Sequence, residues 1–246
     1  MNFRDIEHYY SNLLRLPLKE SYSKDELLTK DFLIEKQENM EIYYCTHNEY
    51  INPNAKIFII GITPGFQQMN RSIVIARKCL EENIPLSEIP YICKHEVRFY
   101  GILRRNITDM LDQLELNKVL GIEKCMELFE DKDYLIHTTS LIPHAVFVDG
   151  KNYNGHSPKI LKSKLLLKYI DKYFYPQIES LNKALIVPLG KSIEEILIRF
   201  INLGIIEENQ CLIGFPHPSG ANGHRRNQFD RNKEALTQKV RAFFLF

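Results

Sequence analysis

The sequence lacks the features that mark membrane, secreted or modular proteins. It has no apolar run long enough to span a membrane, and its N-terminus shows no signal-peptide pattern. No Gly-, Ser- or Pro-rich linker, low-complexity tract or repeat divides the 246 residues. We therefore expect one domain, located in the cytoplasm, with no membrane partner.

Cysteine is scarce and the net charge is small. The five cysteines stand singly, with no C-x-x-C pair. This spacing favours reduced, buried thiols over a disulfide frame, a zinc site or an iron–sulfur cluster. The sequence thus predicts no metal and no cofactor. A formal net charge of +1 also excludes a polycation.

Basic residues are nevertheless concentrated in two stretches. Residues 151–172 contain six lysines and one aspartate, and residues 225–241 contain six basic and two acidic residues. Two basic patches on a near-neutral chain suit a protein that meets a polyanion on one face. Taken alone, either patch is better explained as the solvated face of a helix.

Four short apolar runs predict the strands of a parallel sheet, because helical stretches separate them. These runs are residues 56–61, 133–138, 184–188 and 211–215. We predict an α/β fold, with three α/β/α layers around a central four-stranded parallel sheet, in a single domain over residues 1–246. Residues 1–40 are predicted to form a helical N-terminal extension, including a helix from 24 to 37 with Ser23 as its N-cap.

The first strand runs directly into a Pro-Gly turn. In open α/β sheets, ligands bind outside the carboxyl ends of the strands. The loop of residues 61–72 is therefore the first candidate for chemistry. The fourth strand leads into a second turn, which begins Pro216-His217-Pro218-Ser219.

Together these two turns resemble the paired motifs of the uracil-DNA glycosylase superfamily. The G-x-x-P-G type motif is Gly61-Ile62-Thr63-Pro64-Gly65, and the H-P-S type motif is His217-Pro218-Ser219. Their order along the chain also matches. The branch stays open between the single-strand-selective or mismatch type and a phage-defence type that removes modified bases. We expect the two turns to meet at one sheet edge, in a pocket for an unstacked base.

The resemblance implies a catalytic role for both turns. His217 is expected to present a neutral N–H to a pyrimidine carbonyl oxygen, where negative charge develops as the base leaves. Relatives carry Asp or Asn where this chain has Thr63, which is not a base near neutral pH. Water activation could then fall to Gln67, Gln68, Asn70 or Asp149. The catalytic candidates are Thr63, His217, Asn70 and Asp149.

Base and DNA contacts follow from the same comparison. Phe66 is the candidate stacking ring, and Asn152 and Asn154 could read a base edge; core packing and turn formation are the alternatives. The base-binding candidates are Gly61, Ile62, Pro64, Gly65, Phe66, Gln67, Asn152 and Asn154. Backbone amides, helix starts and arginines suit phosphates. The DNA-binding candidates are Lys191, Ser192, Ser219, Gly220, Asn222, His224, Arg225 and Arg226.

Two functions fit these residues. The first is a monomeric, monofunctional DNA glycosylase that flips a pyrimidine from duplex or single-stranded DNA, hydrolyses its N-glycosidic bond and leaves an abasic site. Its substrate would be uracil or a modified cytosine such as glucosylated hydroxymethylcytosine. The second is a non-catalytic nucleic-acid-binding module of the same fold. A nucleotide-binding α/β protein is excluded, because the loop has neither G-x-G-x-x-G nor a Walker lysine.

Overall fold

The computed structural model describes residues 5–245, and none of the helices in that range is long and apolar enough to cross a membrane. The strands are β1 (Leu33–Gln37), β2 (Met40–Tyr43), β3 (Ile57–Gly61), β4 (Ile136–Ser140), β5 (Ala145–Val148), β6 (Lys151–Asn152) and β7 (Leu185–Pro188). The α-helices are α1 (Asp5–Arg15), α2 (Lys24–Leu27), α3 (Phe66–Glu81), α4 (Ile89–Val97), α5 (Ile102–Gln113), α6 (Leu116–Leu120), α7 (Lys164–Tyr169), α8 (Tyr175–Ser180), α9 (Lys191–Asn202) and α10 (Arg225–Leu245).

The chain forms two compact units. The first contains the residues up to Ile51 together with Thr63–Arg98 and Ser140–Pro176. The second contains Asn52–Ile62, Phe99–Thr139 and the residues from Gln177 onwards. Each unit is thus assembled from three separate stretches of chain. The assignment of all 246 residues to one domain stays a prediction.

The second unit is built on a parallel sheet in the order β4-β3-β7, which confirms the predicted α/β class. β3 pairs with β7 from Ile57 opposite Leu185 to Ile60 opposite Pro188, and these residues of β3 are fully buried. The sheet has three strands where four were predicted. The fourth predicted strand, residues 211–215, forms only an isolated parallel bridge, between Cys211 and Ile186. The chain then turns away at Gly214, whose φ is +95°.

The first unit contains an antiparallel sheet in the order β1-β2-β5-β6. The prediction of a wholly helical extension over residues 1–40 is wrong, because β1 and the start of β2 lie within it; residues 1–4 are outside the described range. The capping box of Ser23 and Glu26 is present, but its helix ends at Leu27. β1 instead pairs with β2 across a turn at Glu38, whose φ is +52°.

Helix α3 carries the core of the first unit. Met69, Ile73, Ala76 and Leu80 follow helical spacing along one face and are all buried. They belong to an aromatic-rich core in which rings from α1 and the segment after β2 stack at 4.0 Å between centroids. This packing fixes the start of α3, which follows the Thr63 turn.

Candidate active site

The Thr63 hydroxyl is used to hold its turn against β5. It donates to the backbone oxygen of His144 at 2.6 Å and accepts the backbone N–H of Val146 at 3.1 Å. A threonine hydroxyl has one proton to donate and two lone pairs. With the proton directed at His144, Thr63 can only accept one further hydrogen, for example from a water molecule.

Asn152 lies beside this turn and caps the start of α3. Its Oδ1 accepts the backbone N–H of Phe66 at 3.0 Å, and its Nδ2 lies 3.6 Å from the position that a Cβ on Gly65 would occupy. Within residues 5–245, the Nδ2 group has no hydrogen-bond partner. Because the oxygen is engaged by α3, the exposed amide is oriented with its two N–H donors available to a ligand.

A tight hairpin brings Asn152 to this position. Asp149 and Gly150 have φ values of +49° and +69°, the left-handed pair of a two-residue type I′ turn. They join β5 to β6, so that Asn152 pairs with Phe147, the neighbour of Val146. Asp-Gly is a preferred residue pair for such a turn, because both central positions need positive φ.

The hairpin also decides the role of Asp149. Its carboxylate accepts the side-chain N–H of Asn39 at 2.9 Å, and its own N–H bonds the Asn39 backbone oxygen at 3.0 Å. Asp149 therefore holds the hairpin tip against the turn before β2. These bonds do not support the catalytic role predicted for it.

Asn70 is likewise committed to structure. Only 6% of it is exposed; its Oδ1 accepts the N–H of Tyr22 at 2.9 Å, and its Nδ2 donates to Ser21 Oγ at 2.8 Å and to the Tyr22 backbone oxygen at 3.0 Å. All its amide protons are engaged, so nothing supports the predicted activation of water by Asn70.

Other candidates on this side differ in exposure. Phe66 is 9% exposed and packs in the core of the first unit, which leaves little ring surface for a base. Gln67 is exposed, whereas Gln68 accepts the Gly65 N–H at 3.2 Å. Asn154 is exposed, and its Oδ1 accepts the N–H of His156 at 3.1 Å, as in an Asx turn. The remaining positions are partly or fully buried: Gly61, Ile62 and Pro64.

In the second unit, His217 is held as a neutral imidazole. Its Nδ1 accepts the backbone N–H of Ser219 at 3.2 Å. A ring nitrogen that accepts carries no proton, so the neutral ring has its proton on Nε2. Burial also lowers the pKa of His217 below its ordinary value of 6.5, because it disfavours the charged form. The side chain is therefore a preoriented N–H donor.

Gly190 forms a close wall for this imidazole. Its φ is +102°, and a Cβ placed on it would lie 3.1 Å from the Cβ and 3.4 Å from the Cδ2 of His217. Only glycine satisfies both the backbone conformation and the close approach. Helix α9 begins at the next residue, with Lys191 exposed and Ser192 half-buried at its N-terminus.

Three side chains bind the carbonyl oxygens of the His217 turn. Asn222 Nδ2 donates to the His217 oxygen at 3.1 Å, Asn106 Nδ2 to that of Pro218 at 2.7 Å, and Arg225 Nη1 to that of Ser219 at 2.8 Å. Asn106 was missed in the sequence, which carries no local signal for a contact across more than a hundred residues. With the carbonyl groups engaged by protein, the turn can present N–H groups outward.

The surface of this turn offers donors and positive charge. The backbone N–H of Gly220 has no hydrogen-bond partner in the described part of the chain, whereas the Ser219 hydroxyl accepts the Ala221 N–H at 3.1 Å. His224 and Arg226 are exposed.

The turn that contains Thr63 lies in the first unit, and the turn that contains His217 lies in the second. That the two turns meet in one pocket stays a prediction.

Residues 5–245 contain no group of three or more His, Cys, Asp or Glu side chains placed to hold a metal ion. All five cysteines are buried and free, and burial raises the pKa of the Cys45 thiol to about 12. The thiols therefore stay protonated near neutral pH.

Comparison with known proteins identifies relatives of the chain. The family model of the uracil DNA glycosylase superfamily matches residues 49–241. The uncharacterized protein YoxB of Bacillus subtilis (strain 168) is 39% identical over 227 residues, which cover 92% of this chain and 89% of YoxB. The crystal structure of wild-type SMUG2 from Pedobacter heparinus matches 75% of this chain and 76% of its own, at 16% identity and a TM-score of 0.40.

Proposed function

The chain belongs to the uracil DNA glycosylase superfamily, and we propose that it is a monofunctional DNA glycosylase. In this proposal it flips a pyrimidine out of DNA and hydrolyses the N-glycosidic bond, leaving an abasic site. The observation that carries the proposal is the neutral, oriented imidazole of His217.

The departing base is the group that His217 would stabilise. Cleavage of a glycosidic bond gives the sugar oxocarbenium character and leaves the electron pair on the base. A donor already fixed where that charge develops lowers the barrier without having to reorganise. The Nε2–H of His217 meets this requirement, because the Ser219 N–H fixes its tautomer.

Asn152 is proposed to read the edge of the flipped base. Only its N–H donors are available, since Oδ1 is bound to the start of α3. A donor of this kind suits O4 of uracil or N3 of a cytosine. Both substrates named by the resemblance, uracil and a modified cytosine removed in phage defence, thus stay within the proposal.

The attacking water would receive little help from Thr63. Its hydroxyl can accept one hydrogen from the water but cannot remove a proton. The loss of a general base typically costs about 10²–10⁴ in rate. We therefore propose that leaving-group stabilisation supplies most of the catalysis.

The His217 turn and its neighbours are proposed to hold the DNA strand. The Gly220 N–H, the start of α9 at Lys191, and the exposed His224 and Arg226 are all suited to phosphate oxygens. We propose that the protein binds DNA in this way as a monomer in the cytoplasm.

Base release tests this function. The wild-type protein is incubated with uracil-containing oligonucleotides and with phage DNA containing glucosylated hydroxymethylcytosine, and free base is identified by mass spectrometry. We expect release from at least one substrate, and a loss of at least 100-fold in single-turnover rate for His217→Ala. His8→Ala, which removes an exposed imidazole on α1, is the matched control and should retain the rate.

The commitment of the Thr63 hydroxyl to backbone groups also favours the alternative, a nucleic-acid-binding module without turnover. The two functions differ in one experiment. If the wild-type protein binds DNA, releases neither base, and His217→Ala leaves the affinity unchanged, the glycosylase proposal is wrong and the binding module is supported.

A further inference from the structure

Residues 151–164 form a basic segment that contains Asn152 and continues beyond it along the chain. This lysine segment contains Lys151, Lys159, Lys162 and Lys164 and no acidic residue. All four side chains are exposed, and none forms an ion pair within residues 5–245. The next two lysines differ, because Lys168 pairs with Glu35 at 2.8 Å and Lys172 donates to the Tyr173 hydroxyl at 2.8 Å.

Backbone and side-chain bonds keep the lysine segment compact. The Tyr153 hydroxyl donates to the Pro158 oxygen, which brings the residue before Lys159 back to the strand that contains Asn152. The Lys162 N–H bonds the Lys159 oxygen at 2.9 Å in a single 3₁₀ turn. Lys159 is the N-cap of this turn and Lys162 its last residue, so the turn holds the two lysines three residues apart in a fixed local geometry.

The lysine segment continues directly from the group proposed to read the base. Lys151 and Asn152 are the two residues of β6, and Tyr153 then ties the following chain to Pro158. Four like charges without counter-charges repel one another, and a polyanion relieves that repulsion. Phosphates that flank a flipped nucleotide carry the required negative charge close to the base.

From these observations, and resting on the proposed function, we infer that the lysine segment is a second DNA-contact surface, which binds the phosphate backbone beside the nucleotide read by Asn152. Each lysine–phosphate contact releases counterions, so that the logarithm of the binding constant falls by about 0.9 per contact for each tenfold rise in salt.

The test compares two fourfold variants with the same change in net charge. The first is K151Q/K159Q/K162Q/K164Q. The control is K36Q/K78Q/K118Q/K168Q, which removes four lysines that are already paired with Glu41, Glu20, Glu115 and Glu35. Affinity for an undamaged 25-base-pair duplex is measured from 50 to 300 mM NaCl, with circular dichroism and thermal midpoints as the check on folding.

We expect the slope of log K against log salt to become shallower by up to about 3.6 units in the first variant, 0.9 for each of four contacts, and by less than 1 unit in the control. The dissociation constant at 100 mM NaCl should rise at least tenfold in the first variant only. An equal change in both variants, or no change in either, would overturn the inference. The inference would also be overturned if the first variant lost binding to vesicles of anionic phospholipid while its slope of log K against log salt for DNA stayed at the wild-type value.

This result can be separated from that of the proposed function. If the wild-type protein releases no base but its DNA affinity depends on the four lysines, the contact surface is supported and the glycosylase proposal fails. If it releases base while the first variant keeps the wild-type salt slope, the glycosylase proposal is supported and the contact surface is overturned.

Discussion

Asparagine side chains around the two turns differ in which of their polar groups the protein engages. Asn70 has both its oxygen and its amide protons engaged by residues 21 and 22, and Asn222 bridges the His217 turn and Gln228. Asn152 uses only its oxygen. The residue type is the same in each case, so only the neighbours decide which amide can contact a base.

Asn152→Asp tests the role of this amide at the scale of one residue. Aspartate keeps the oxygen that accepts the Phe66 N–H, and its charge suits the start of a helix, so stability should be unchanged or slightly higher. The two N–H donors are lost, and the single-turnover rate of base release should fall at least 100-fold.

The matched control is Asn154→Asp. It makes the same change at an exposed residue whose oxygen caps its own turn, and it should retain the wild-type rate. A rate unaffected by Asn152→Asp would show that Asn152 does not read the base.

At the scale of elements, turns that follow strands carry the candidate residues of each unit. A two-residue turn returns β6 to β5 and carries Asn152 back toward the Thr63 turn, while the glycine after β7 allows His217 to approach the start of α9. Helices α9 and α10 also clamp Gly214 before the His217 turn. Glu194 accepts its N–H at 2.6 Å, and Asn232 donates to its oxygen at 2.8 Å.

Gly190→Ala separates backbone strain from displacement of the imidazole. Gly190 and Gly150 both have positive φ, and either alanine variant should lose about 1 kcal/mol in the free energy of unfolding. Only Gly190 also faces His217, whereas nothing lies within 4 Å of a Cβ on Gly150. Base release should therefore fall at least tenfold in Gly190→Ala and stay near wild type in Gly150→Ala.

Urea unfolding and single-turnover rates measure the two effects. Equal activity in these two variants would mean that contact with Gly190 does not position His217. A loss of stability without a loss of rate would assign this glycine to the turn alone.

At the scale of the whole molecule, buried ionisable groups make stability depend on pH. Burial raises the pKa of Glu49 to about 8, although Tyr44 and the Ile6 N–H bond its carboxyl oxygens. Burial also lowers the pKa of Lys94 well below its ordinary value; its Nζ donates to Asn48 Oδ1 in the core of the first unit. As the pH rises, the raised pKa of Glu49 lowers the free energy of unfolding, whereas the lowered pKa of Lys94 raises it.

The variant Glu49→Gln isolates the contribution of Glu49 to the pH dependence of stability. Between the ordinary value of 4.5 and about 8, the folded state keeps the Glu49 proton and the unfolded state releases it. Raising the pH therefore favours unfolding of the wild-type protein, by up to about 1.4 kcal/mol per pH unit from this group. Glutamine does not titrate, so the variant should become progressively more stable relative to wild type from pH 5 to pH 8.

Denaturant unfolding of both proteins at pH 5, 6.5 and 8 measures this difference. Glu82→Gln makes the same change at an exposed position after α3 and is the matched control, whose difference from wild type should be small. A difference for Glu49→Gln that stays constant with pH would mean that the Glu49 pKa is not raised in the folded state.

Local patterns in the sequence determined the elements of the parallel sheet. Continuous apolar runs marked β3 and β7, since strands buried on both faces are rich in apolar residues. The second predicted strand, residues 133–138, is displaced: residues 133–135 form a 3₁₀ turn, and β4 covers Ile136–Ser140, where four of the five residues are polar although all are buried. Pairing over long distances was not visible. Residues 33–37 fit a helix as well as a strand, and they are a strand because β2 pairs with them and with β5.

The sequence alone placed Thr63 and His217 in turns after apolar runs, and its motifs identified the family that residues 49–241 match. Only the tertiary structure decided which polar groups are already satisfied. The Thr63 hydroxyl, Asn70 and Asp149 hold backbone segments, whereas the Asn152 donors have no partner in the described residues. The physical reason is that a hydrogen bond depends on neighbours brought together by folding, which residue type and spacing do not specify.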